Sequence, residues 1–201
     1  MFITFEGGEG TGKSTQVKLL AERLGAAGKY VVATREPGGT PEAEGLRSLL
    51  VSGNGDWSAE AEALLNYAAR DTHLRQVIRP ALAAGKTVIC DRFMDSTRAY
   101  QAYAGGCDPA LVDQLERAIV GTTRPDVTLI FDLDPKLGLA RAHARSAAME
   151  DRFERKGLAF HERLRSGFLA IAKAEPGRCK LIDASRPVEA VTEQIRRALN
   201  G

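Results

Sequence analysis

The chain has 201 residues, of which 44% are hydrophobic and 27% are charged, and its formal net charge at pH 7 is +2. This length and composition predict one compact domain over residues 1–201 and exclude a disordered chain. The small net charge does not indicate the broad basic surface of a general nucleic-acid-binding protein. No apolar run reaches the roughly 18 residues of a membrane span, and the first residues form no signal-like stretch. We therefore expect a soluble, cytoplasmic protein with neither a nucleic-acid nor a membrane partner.

Short β-rich segments alternate with longer segments of helical periodicity. The predicted strands are 2–5, 30–33, 87–90, 127–131 and 180–182. The first, third and fourth are nearly continuous apolar runs, which is typical of a parallel sheet covered on both faces. The predicted helices are 14–27, 59–84 with an interruption at Pro80, 109–120, 135–145, 153–174 and 188–199. The sequence therefore predicts an α/β fold with a five-stranded parallel sheet, helices on both faces, and any ligand at the carboxyl ends of the strands.

A phosphate-binding loop follows the first strand. Residues 7–14, Gly-Gly-Glu-Gly-Thr-Gly-Lys-Ser, match the P-loop pattern GxxxxGK[ST] and lie between a strand and a helix, as that pattern requires. In such a loop, main-chain amides and the helix N-terminus bind phosphate groups. We predict that Lys13 contacts the β- and γ-phosphates of a nucleoside triphosphate and that Ser14 is a ligand of Mg²⁺.

The class of P-loop protein is decided by the rest of the chain. A GTPase is expected to carry DxxG and NKxD motifs, but no Asp is followed by Gly three positions later and no Asn precedes Lys. An ATP-driven motor normally needs a larger chain or partner domains. The sequence therefore favours a small phosphotransferase.

Acidic residues end two of the predicted strands. Asp91 follows the third strand, and we predict that it holds an Mg²⁺-bound water or accepts a hydrogen bond from the nucleophile, with Arg92 binding a second phosphate. Asp132 follows the fourth strand and is interpreted as an anchoring carboxylate. The segment 35–40, Arg-Glu-Pro-Gly-Gly-Thr, follows the second strand and brings two charged side chains to the same edge.

These motifs, in this order and spacing, resemble the thymidylate kinase family. The resemblance is carried by Phe5-Glu6-Gly7 to Ser14-Thr15, by Arg35-Glu36-Pro37-Gly38-Gly39-Thr40, by Asp91-Arg92-Phe93, and by Ser96, Thr97 and Ala99-Tyr100-Gln101. It covers essentially the whole chain. It implies a P-loop NTPase-like fold and transfer of the γ-phosphoryl group of ATP to dTMP, with Mg²⁺, to give dTDP and ADP. It also implies a homodimer packed through helices and suggests a cis Glu36–Pro37 bond.

The resemblance assigns roles around the phosphates. It implies that Arg92 binds the dTMP phosphate and that Asp91 organises Mg²⁺ and water. Glu9 is expected to contact the sugar 3′-hydroxyl or the water shell of the metal. The implied ATP-binding residues are Gly7, Gly8, Glu9, Gly10, Thr11, Gly12, Lys13, Ser14 and Thr15.

It also assigns roles around the acceptor nucleoside. Tyr100 is expected against the sugar C2′ face, Arg70 at the base or the acceptor phosphate, and Thr97 with Gln101 at the thymine edge. The alternatives are a core aromatic for Tyr100 and a solvent-exposed helix arginine for Arg70. The implied dTMP-binding residues are Glu9, Arg35, Glu36, Pro37, Asn66, Arg70, Arg92, Ser96, Thr97, Tyr100 and Gln101.

One position departs from the family. Many members place a Phe four residues before the helix arginine, where its ring stacks on thymine, and this chain has Asn66 there. Tyr67 is adjacent, but a helix turns by about 100° per residue, so its ring points elsewhere. We expect the site to accept dTMP with altered packing around the base.

A basic segment at about 141–155 is expected to form a short lid. Arg141, Arg145, Arg152 and Arg155 surround the small residues of 146–149. The alternative is an ordinary solvated loop, but a P-loop kinase needs a segment that excludes water from the γ-phosphate. The family has one form with its catalytic arginine in the P-loop and a bacterial form with it in the lid. Residues 7–14 contain no Arg, so the chain resembles the second form, with Asp151 and Glu154 as supporting lid acids. The predicted catalytic residues are Lys13, Asp91, Arg92, Arg145 and Arg152.

Two alternatives remain open at this point. One is a kinase for another nucleoside monophosphate or a nucleoside on the same fold, and the other is a regulatory protein that binds nucleotide without catalysing transfer. Intact Lys13, Asp91 and Arg92 argue against the second.

The cysteines and histidines show no spacing typical of a disulfide framework or a zinc site. Cys90 is interpreted as a buried small hydrophobic residue. The three histidines are predicted to lie on helix surfaces and not to bind metal; they are His73, His143 and His161.

Overall fold

The computed structural model describes residues 1–51, 55–145, 152–153 and 155–200. The strands are β1 (Phe2–Gly7), β2 (Val31–Arg35), β3 (Thr87–Asp91), β4 (Val127–Asp132) and β5 (Cys179–Asp183). They form one parallel sheet in the order β2-β3-β1-β4-β5. The predicted α/β fold with a five-stranded parallel sheet is therefore confirmed, and each strand is within two residues of its predicted bounds.

The helices surround this sheet. They are α1 (Lys13–Ala26), α2 (Pro41–Val51), α3 (Ala59–His73), α4 (Arg79–Ala83), α5 (Met94–Thr97), α6 (Pro109–Ile119), α7 (Pro135–Arg145), α8 (Leu158–Ala174) and α9 (Val188–Asn200), with π-helices at Leu74–Ile78 and Arg98–Ala104. The interruption expected at Pro80 takes the form of the π-helix before α4, and proline is tolerated in the first turn that follows. Among the described helices, none has the length and apolarity that a membrane span requires.

Two helical segments were not predicted from the sequence. Helix α2 begins after Thr40, whose hydroxyl accepts a hydrogen bond from the Ala43 amide, and it carries Pro41 and two acidic residues in its first turn. These are ordinary helix-start signals that the sequence reading missed. Helix α5 and its π-helical continuation bury many polar residues, so they show no clear apolar stripe. Helix α8 begins five residues later than predicted, because the Phe153 carbonyl accepts from the Lys156 amide in a preceding turn.

The core lies on both faces of the sheet. Side chains alternate along a strand, so Phe2 packs with α3 and α6 on one face, whereas Ile3 and Phe5 pack with α1 and α9 on the other. The same alternation separates Cys90 from Ile89 on β3. Because both faces are covered, both sets of residues are buried, which explains the nearly continuous apolar runs in the sequence. The expected burial of Cys90 is confirmed.

Two of the three histidine predictions are wrong. His143 is exposed on α7, as predicted. His73 is fully buried at the end of α3, where its ring nitrogens contact Thr34 and Glu36. His161 is also buried, and its Nε2 lies 3.1 Å from the Phe153 carbonyl oxygen. Both rings contact polar atoms outside their own helices, which helical periodicity alone does not reveal.

Candidate active site

The phosphate loop connects β1 to α1 in a conformation that depends on glycine. Gly7, Gly10 and Gly12 have φ of 134°, 65° and 84°, values that favour glycine. A Cβ at Gly10 would lie 1.9 Å from the carbonyl oxygen of Gly138 on α7. The loop is therefore packed directly against the backbone of α7, and its curvature leaves its amides available to an anion.

Lys13 lies inside the curve of this loop. Its Nζ donates hydrogen bonds to the carbonyl oxygens of Gly7 (3.0 Å) and Gly8 (2.7 Å) and to Thr11 Oγ1 (3.1 Å). Burial and the nearby charge of Arg92 lower the pKa of Lys13 to about 8. An anion bound in the loop would favour the charged ammonium, so phosphate binding and protonation of Lys13 are coupled.

Asp91 is held beside the start of α1 by the pairing of β1 with β3, which places it level with Phe5. Ser14 Oγ donates to Asp91 Oδ2 at 2.7 Å. A hydroxyl and a carboxylate next to a phosphate loop are the hard oxygen donors that Mg²⁺ prefers, so these residues fit the metal. Asp132 instead accepts from Arg165 Nε (2.6 Å) and Nη2 (2.9 Å), as expected of an anchoring carboxylate.

Arg92 joins the turn after β3 to the phosphate loop. Its Nη1 donates to the Gly7 carbonyl oxygen and its Nη2 to Glu9 Oε1, both at 2.9 Å, and the guanidinium lies 4.9 Å from the centre of the Tyr100 ring. Burial opposes the charge of Glu9, but Arg92 and Lys13 outweigh it and lower the pKa of Glu9 to about 2. Glu9 is therefore ionised and aligned between the loop and Tyr100, which also donates to it.

The backbone of Arg92 is strained, and the buried side chain of Glu6 stabilises the turn that contains it. Among the described residues other than glycine, only Arg92 has a φ in the left-handed region, at 69°, and such a conformation costs roughly 1–3 kcal/mol. Buried Glu6 accepts from the Phe93 amide at 2.8 Å and from the Ser96 hydroxyl, which fixes the turn. Burial and the neighbouring Asp95 raise the pKa of Glu6 to about 8. The sequence reading assigned Glu6 no such role.

Tyr100 is both a core aromatic and a site residue. Its ring packs edge-on against Phe153 and Phe168, with centroids 5.4 and 6.3 Å away, and also contacts Phe160. The same side chain lines the cavity described below. The two interpretations offered for this residue are thus compatible, because packing on one side positions the ring on the other.

Arg70 is buried and points toward the site. Its Nε donates to Glu36 Oε2 at 2.7 Å, and both terminal nitrogens lie 3.2 Å from Thr97 Oγ1. The alternative of a solvent-exposed helix arginine is therefore wrong, since the side chain is 2% exposed. The other Glu36 oxygen contacts His73 Nδ1 at 2.9 Å, and the Glu36–Pro37 bond is cis, as the resemblance suggested.

The loop that follows β2 is fastened to α2. Exposed Arg35 pairs with Glu44 (Nη2 to Oε2, 2.9 Å), and the Gly39 amide also donates to Glu44, at 3.0 Å. Arg47 donates to the Pro37 carbonyl oxygen at 3.0 Å. Helix α2 was not predicted from the sequence. Its contacts with the loop after β2 were therefore not predicted either.

Asn66 and Tyr67 point in different directions, as helical geometry predicts. Asn66 lines the cavity, and its Nδ2 donates to the Glu62 carbonyl oxygen at 2.8 Å. Tyr67 is buried in the core, and its ring lies 4.5 Å from the guanidinium of Arg70. Tyr67 therefore does not replace the ring that Asn66 lacks.

Gln101 and Arg152 meet at the side chain of Glu62 on α3. Gln101 Nε2 donates to Glu62 Oε2 at 2.8 Å, and Arg152 Nη2 pairs with Glu62 Oε1. Arg152 also lies 3.5 Å from the carbonyl oxygens of Leu50 and Trp57. Arg152 thus lies on the α2 and α3 side of the site and is not among the residues that line the cavity.

Most of the other lid predictions concern residues that the structure does not describe, in whole or in part. Arg145 ends α7, and nothing is described of its side chain. Asp151, Glu154 and the small residues 146–149 lie outside the described residues. Arg141 donates to the Ala184 carbonyl oxygen at 3.0 Å, and Arg155 is exposed.

A single cavity of about 240 Å³ brings these residues together. All the predicted dTMP-binding residues line it, together with residues 9–14 of the phosphate loop and Asp91. Gly7, Gly8 and Thr15 do not line it. The cavity also includes residues that the sequence reading missed, namely Arg47, Leu50, Val51, Phe93 and Phe153.

A metal site formed by Glu36, His73 and Cys90 is not supported. Within the described ranges, the one group with ligand atoms close enough for a metal is Glu36, His73 and Cys90, which is buried. Glu36 is already bound by Arg70 and His73, and the Cys90 thiol donates to the Arg92 carbonyl oxygen. These contacts occupy the atoms that a metal would need.

Comparison with known proteins identifies the family. A profile described as Thymidylate kinase matches residues 5–195. The thymidylate kinase of Caulobacter vibrioides is 57% identical over 195 residues, covering 96% of this chain and 93% of that protein, and that of Rhodopseudomonas palustris is 52% identical over 201 residues, covering 98% and 87%. A crystal structure of thymidylate kinase from Ehrlichia chaffeensis, 38% identical, covers 100% of this chain and 98% of that chain with a TM-score of 0.82. The chain therefore belongs to the thymidylate kinase family of ATP-dependent nucleoside monophosphate kinases.

Proposed function

We propose that this chain carries out the reaction of its family, transfer of the γ-phosphoryl group of ATP to dTMP to give dTDP and ADP, with residues 1–201 acting as one domain. The observation that carries the proposal is the shared cavity, which joins the phosphate loop to every residue assigned to the acceptor. Phosphoryl transfer needs two nucleotides held in line and their charge neutralised, and requires little covalent chemistry from the protein.

The donor phosphates are assigned to residues 7–15. Lys13 supplies a cation inside the loop, where its Nζ donates to the carbonyl oxygens of Gly7 and Gly8. Ser14 and Asp91 would hold Mg²⁺, in part through water. When bound, the metal would neutralise the charge that develops on the phosphates. Asp91 also orients Ser14 through their hydrogen bond.

The acceptor phosphate is assigned to Arg92. Its guanidinium is held beside the loop by Glu9 and the Gly7 carbonyl oxygen, so little side-chain entropy is lost on binding. A planar guanidinium can bind two phosphate oxygens at once. Glu9 and Tyr100 are assigned to the sugar, with Glu9 near the 3′-hydroxyl or the metal's water shell and Tyr100 against C2′.

The base is assigned to the far end of the cavity, where Arg70, Thr97 and Gln101 supply polar groups and Asn66 supplies no ring. The remaining residues assigned to the acceptor also line the cavity; they are Arg35, Glu36, Pro37 and Ser96. Of these, Glu36 acts through Arg70, because both of its carboxylate oxygens are already engaged.

Three further features belong to the proposal. The segment 141–155 is assigned as the lid, with Arg145 and Arg152 as its catalytic candidates. The enzyme is proposed to be a cytoplasmic homodimer packed through helices. Exposed Leu64 on α3, 51% accessible, is compatible with such an interface.

The test is a measurement of ADP formation from ATP and Mg²⁺ with a panel of acceptors. We expect turnover with dTMP at the highest kcat/KM, and little ADP when no acceptor is present. Faster turnover of another monophosphate would show that this compound, and not dTMP, is the preferred acceptor. Release of ADP that does not depend on any acceptor would favour a nucleotide-binding regulatory protein.

A further inference from the structure

Glu62 is a buried carboxylate that the assigned roles do not use. Its side chain is 3% exposed, and its two oxygens face different partners. Oε1 pairs with Arg152 Nη2 and lies 3.8 Å from Lys156 Nζ, and Oε2 accepts from Gln101 Nε2 at 2.8 Å. The two cations compensate the negative charge of this buried side chain.

This contact determines which way the Gln101 amide points. A carboxylate can only accept hydrogen bonds, whereas a glutamine amide has an NH₂ that donates and a carbonyl that accepts. The NH₂ of Gln101 must therefore face Glu62. No partner for Gln101 Oε1 occurs in the part of the chain that the structure describes, and Gln101 lines the cavity. The carbonyl is thus the group that Gln101 offers to a ligand.

We propose that Glu62 is a positioning residue that selects the base of the acceptor through Gln101. This inference rests on the proposed function, because it concerns the base end of the same cavity. A carbonyl at this position accepts a hydrogen bond from the N3–H of thymine or uracil. It cannot pair with the N3 of cytosine, which is itself an acceptor. The preference for an imide base is therefore set by Glu62, which orients the Gln101 amide.

The most direct variant is Glu62→Gln. An amide at this position can offer its carbonyl to Arg152 and its NH₂ to Gln101, which allows the Gln101 amide to reverse and present its NH₂ to the base. The matched control is Glu60→Gln, an exposed residue in the first turn of the same helix. The matched ligands are dTMP and 5-methyl-dCMP, which share the methyl group and differ at N3 and C4.

The readout is the ratio of dissociation constants for the two monophosphates, measured by calorimetry without ATP. We expect Glu62→Gln to reduce the preference for dTMP by at least about tenfold, because a buried acceptor is exchanged for a donor. Glu60→Gln should leave the ratio unchanged. In a Gln101→Leu background, Glu62→Gln should have no further effect on the ratio.

Equal weakening of both ligands by Glu62→Gln, with the ratio retained, would overturn the inference and indicate a purely structural role. So would the same change of ratio in the Gln101→Leu background, or a wild-type protein that does not prefer dTMP. Failure of the proposed function is seen separately, as absence of dTMP-dependent ADP formation by the wild type.

A structure of the wild type with dTMP keeps the inference testable if Glu62→Gln does not fold. It should show Gln101 Oε1 within about 3.2 Å of thymine N3 and Nε2 still bonded to Glu62. A complex in which Gln101 has left Glu62 to contact the base would overturn it.

Discussion

Arg92 Nη2 donates to Glu9 Oε1 at 2.9 Å, so the residue assigned to the acceptor phosphate is bonded to the loop assigned to the donor. The same Glu9 oxygen accepts from the Tyr100 hydroxyl. The two nucleotide sites therefore share a single carboxylate. A change at Arg92, Glu9 or Tyr100 is expected to affect more than one of the proposed roles.

Replacement of Arg92 by Lys should weaken acceptor binding more than donor binding. The substitution keeps the charge but removes the planar pair of donors that binds phosphate. We expect KM for dTMP to rise by roughly tenfold or more, with a smaller change in KM for ATP. Steady-state kinetics with each substrate varied in turn measure this. The control is Arg75→Lys, at an exposed arginine paired with Asp71, which should behave as wild type. An equal rise in both KM values would contradict the assignment.

ATP binding should weaken as the pH rises above the pKa of Lys13. Burial and Arg92 lower that pKa to about 8, so the free enzyme loses this charge above pH 8. A bound triphosphate favours the charged form, so binding at higher pH must take up a proton, and Kd should rise by up to about tenfold per pH unit. Calorimetry in buffers of different ionisation enthalpy detects the uptake. Lys13→Arg, which stays charged, should lack it. A flat wild-type Kd between about pH 7.5 and 9.5 would argue against the lowered pKa.

Gly10→Ala should destabilise the protein, whereas Gly8→Ala should not. A Cβ at residue 10 would lie 1.9 Å from the Gly138 carbonyl oxygen, on a backbone with φ of 65°, whereas a Cβ at residue 8 meets nothing within 4 Å. We expect the first change to lower Tm by roughly 5 °C or more and the second by far less. Thermal unfolding followed by circular dichroism measures both. Similar Tm values for the two variants would show that the loop is not packed against α7 as described.

Asn66→Phe should tighten dTMP binding. Asn66 lines the cavity at the end assigned to the base, where a ring would stack on thymine. Stacking of a base on an aromatic ring is worth about 1–3 kcal/mol, so Kd for dTMP should fall by roughly tenfold. Asn66→Leu adds apolar surface without a ring face and is the control. If both variants bind dTMP equally, or if the Phe variant binds it more weakly, the base does not lie beside this residue.

The lid assignment is tested with alanine at each arginine in turn. At least one of Arg145→Ala and Arg152→Ala should lower kcat by on the order of 10²-fold, since an arginine on the transferred phosphoryl group stabilises its transition state. Arg155→Ala is the control in the same segment and should retain wild-type kcat. Unchanged kcat in both of the first two variants would remove the lid from the mechanism. Because Arg152 pairs with Glu62, its loss is also expected to raise KM for dTMP.

Much of the fold was predictable because its signals are local. The strand after residue 86 is apolar on both faces, and Gly12-Lys13-Ser14 opens a helix immediately after the first strand. The sheet order itself follows from pairing between distant segments, such as β1 with both β3 and β4, and no local pattern specifies it. Helix α2 does carry local helix-start signals, at Thr40 and Pro41.

The candidate site was predictable at residues that belong to recognisable motifs and unpredictable at residues that support one another. The position of Arg92 after the third strand and the family resemblance of Gln101 pointed to these two residues, and both line the cavity. Their supports, Glu6 and Glu62, are buried carboxylates whose importance depends on contacts across 87 and 39 residues of sequence. His73 was misplaced for the same reason, since its partner Glu36 lies on another element. Burial of a charged group with its partner is a tertiary property.

The most direct test of the account is a crystal structure with a bisubstrate analogue in which adenosine and thymidine are joined through a polyphosphate chain. The account predicts donor phosphates within hydrogen-bonding distance of the amides of residues 9–14 and of Lys13 Nζ, with the Arg92 guanidinium on the phosphate nearest thymidine. A complex in which Arg92 contacts no phosphate, or in which thymidine occupies the phosphate-loop end of the cavity, would contradict it.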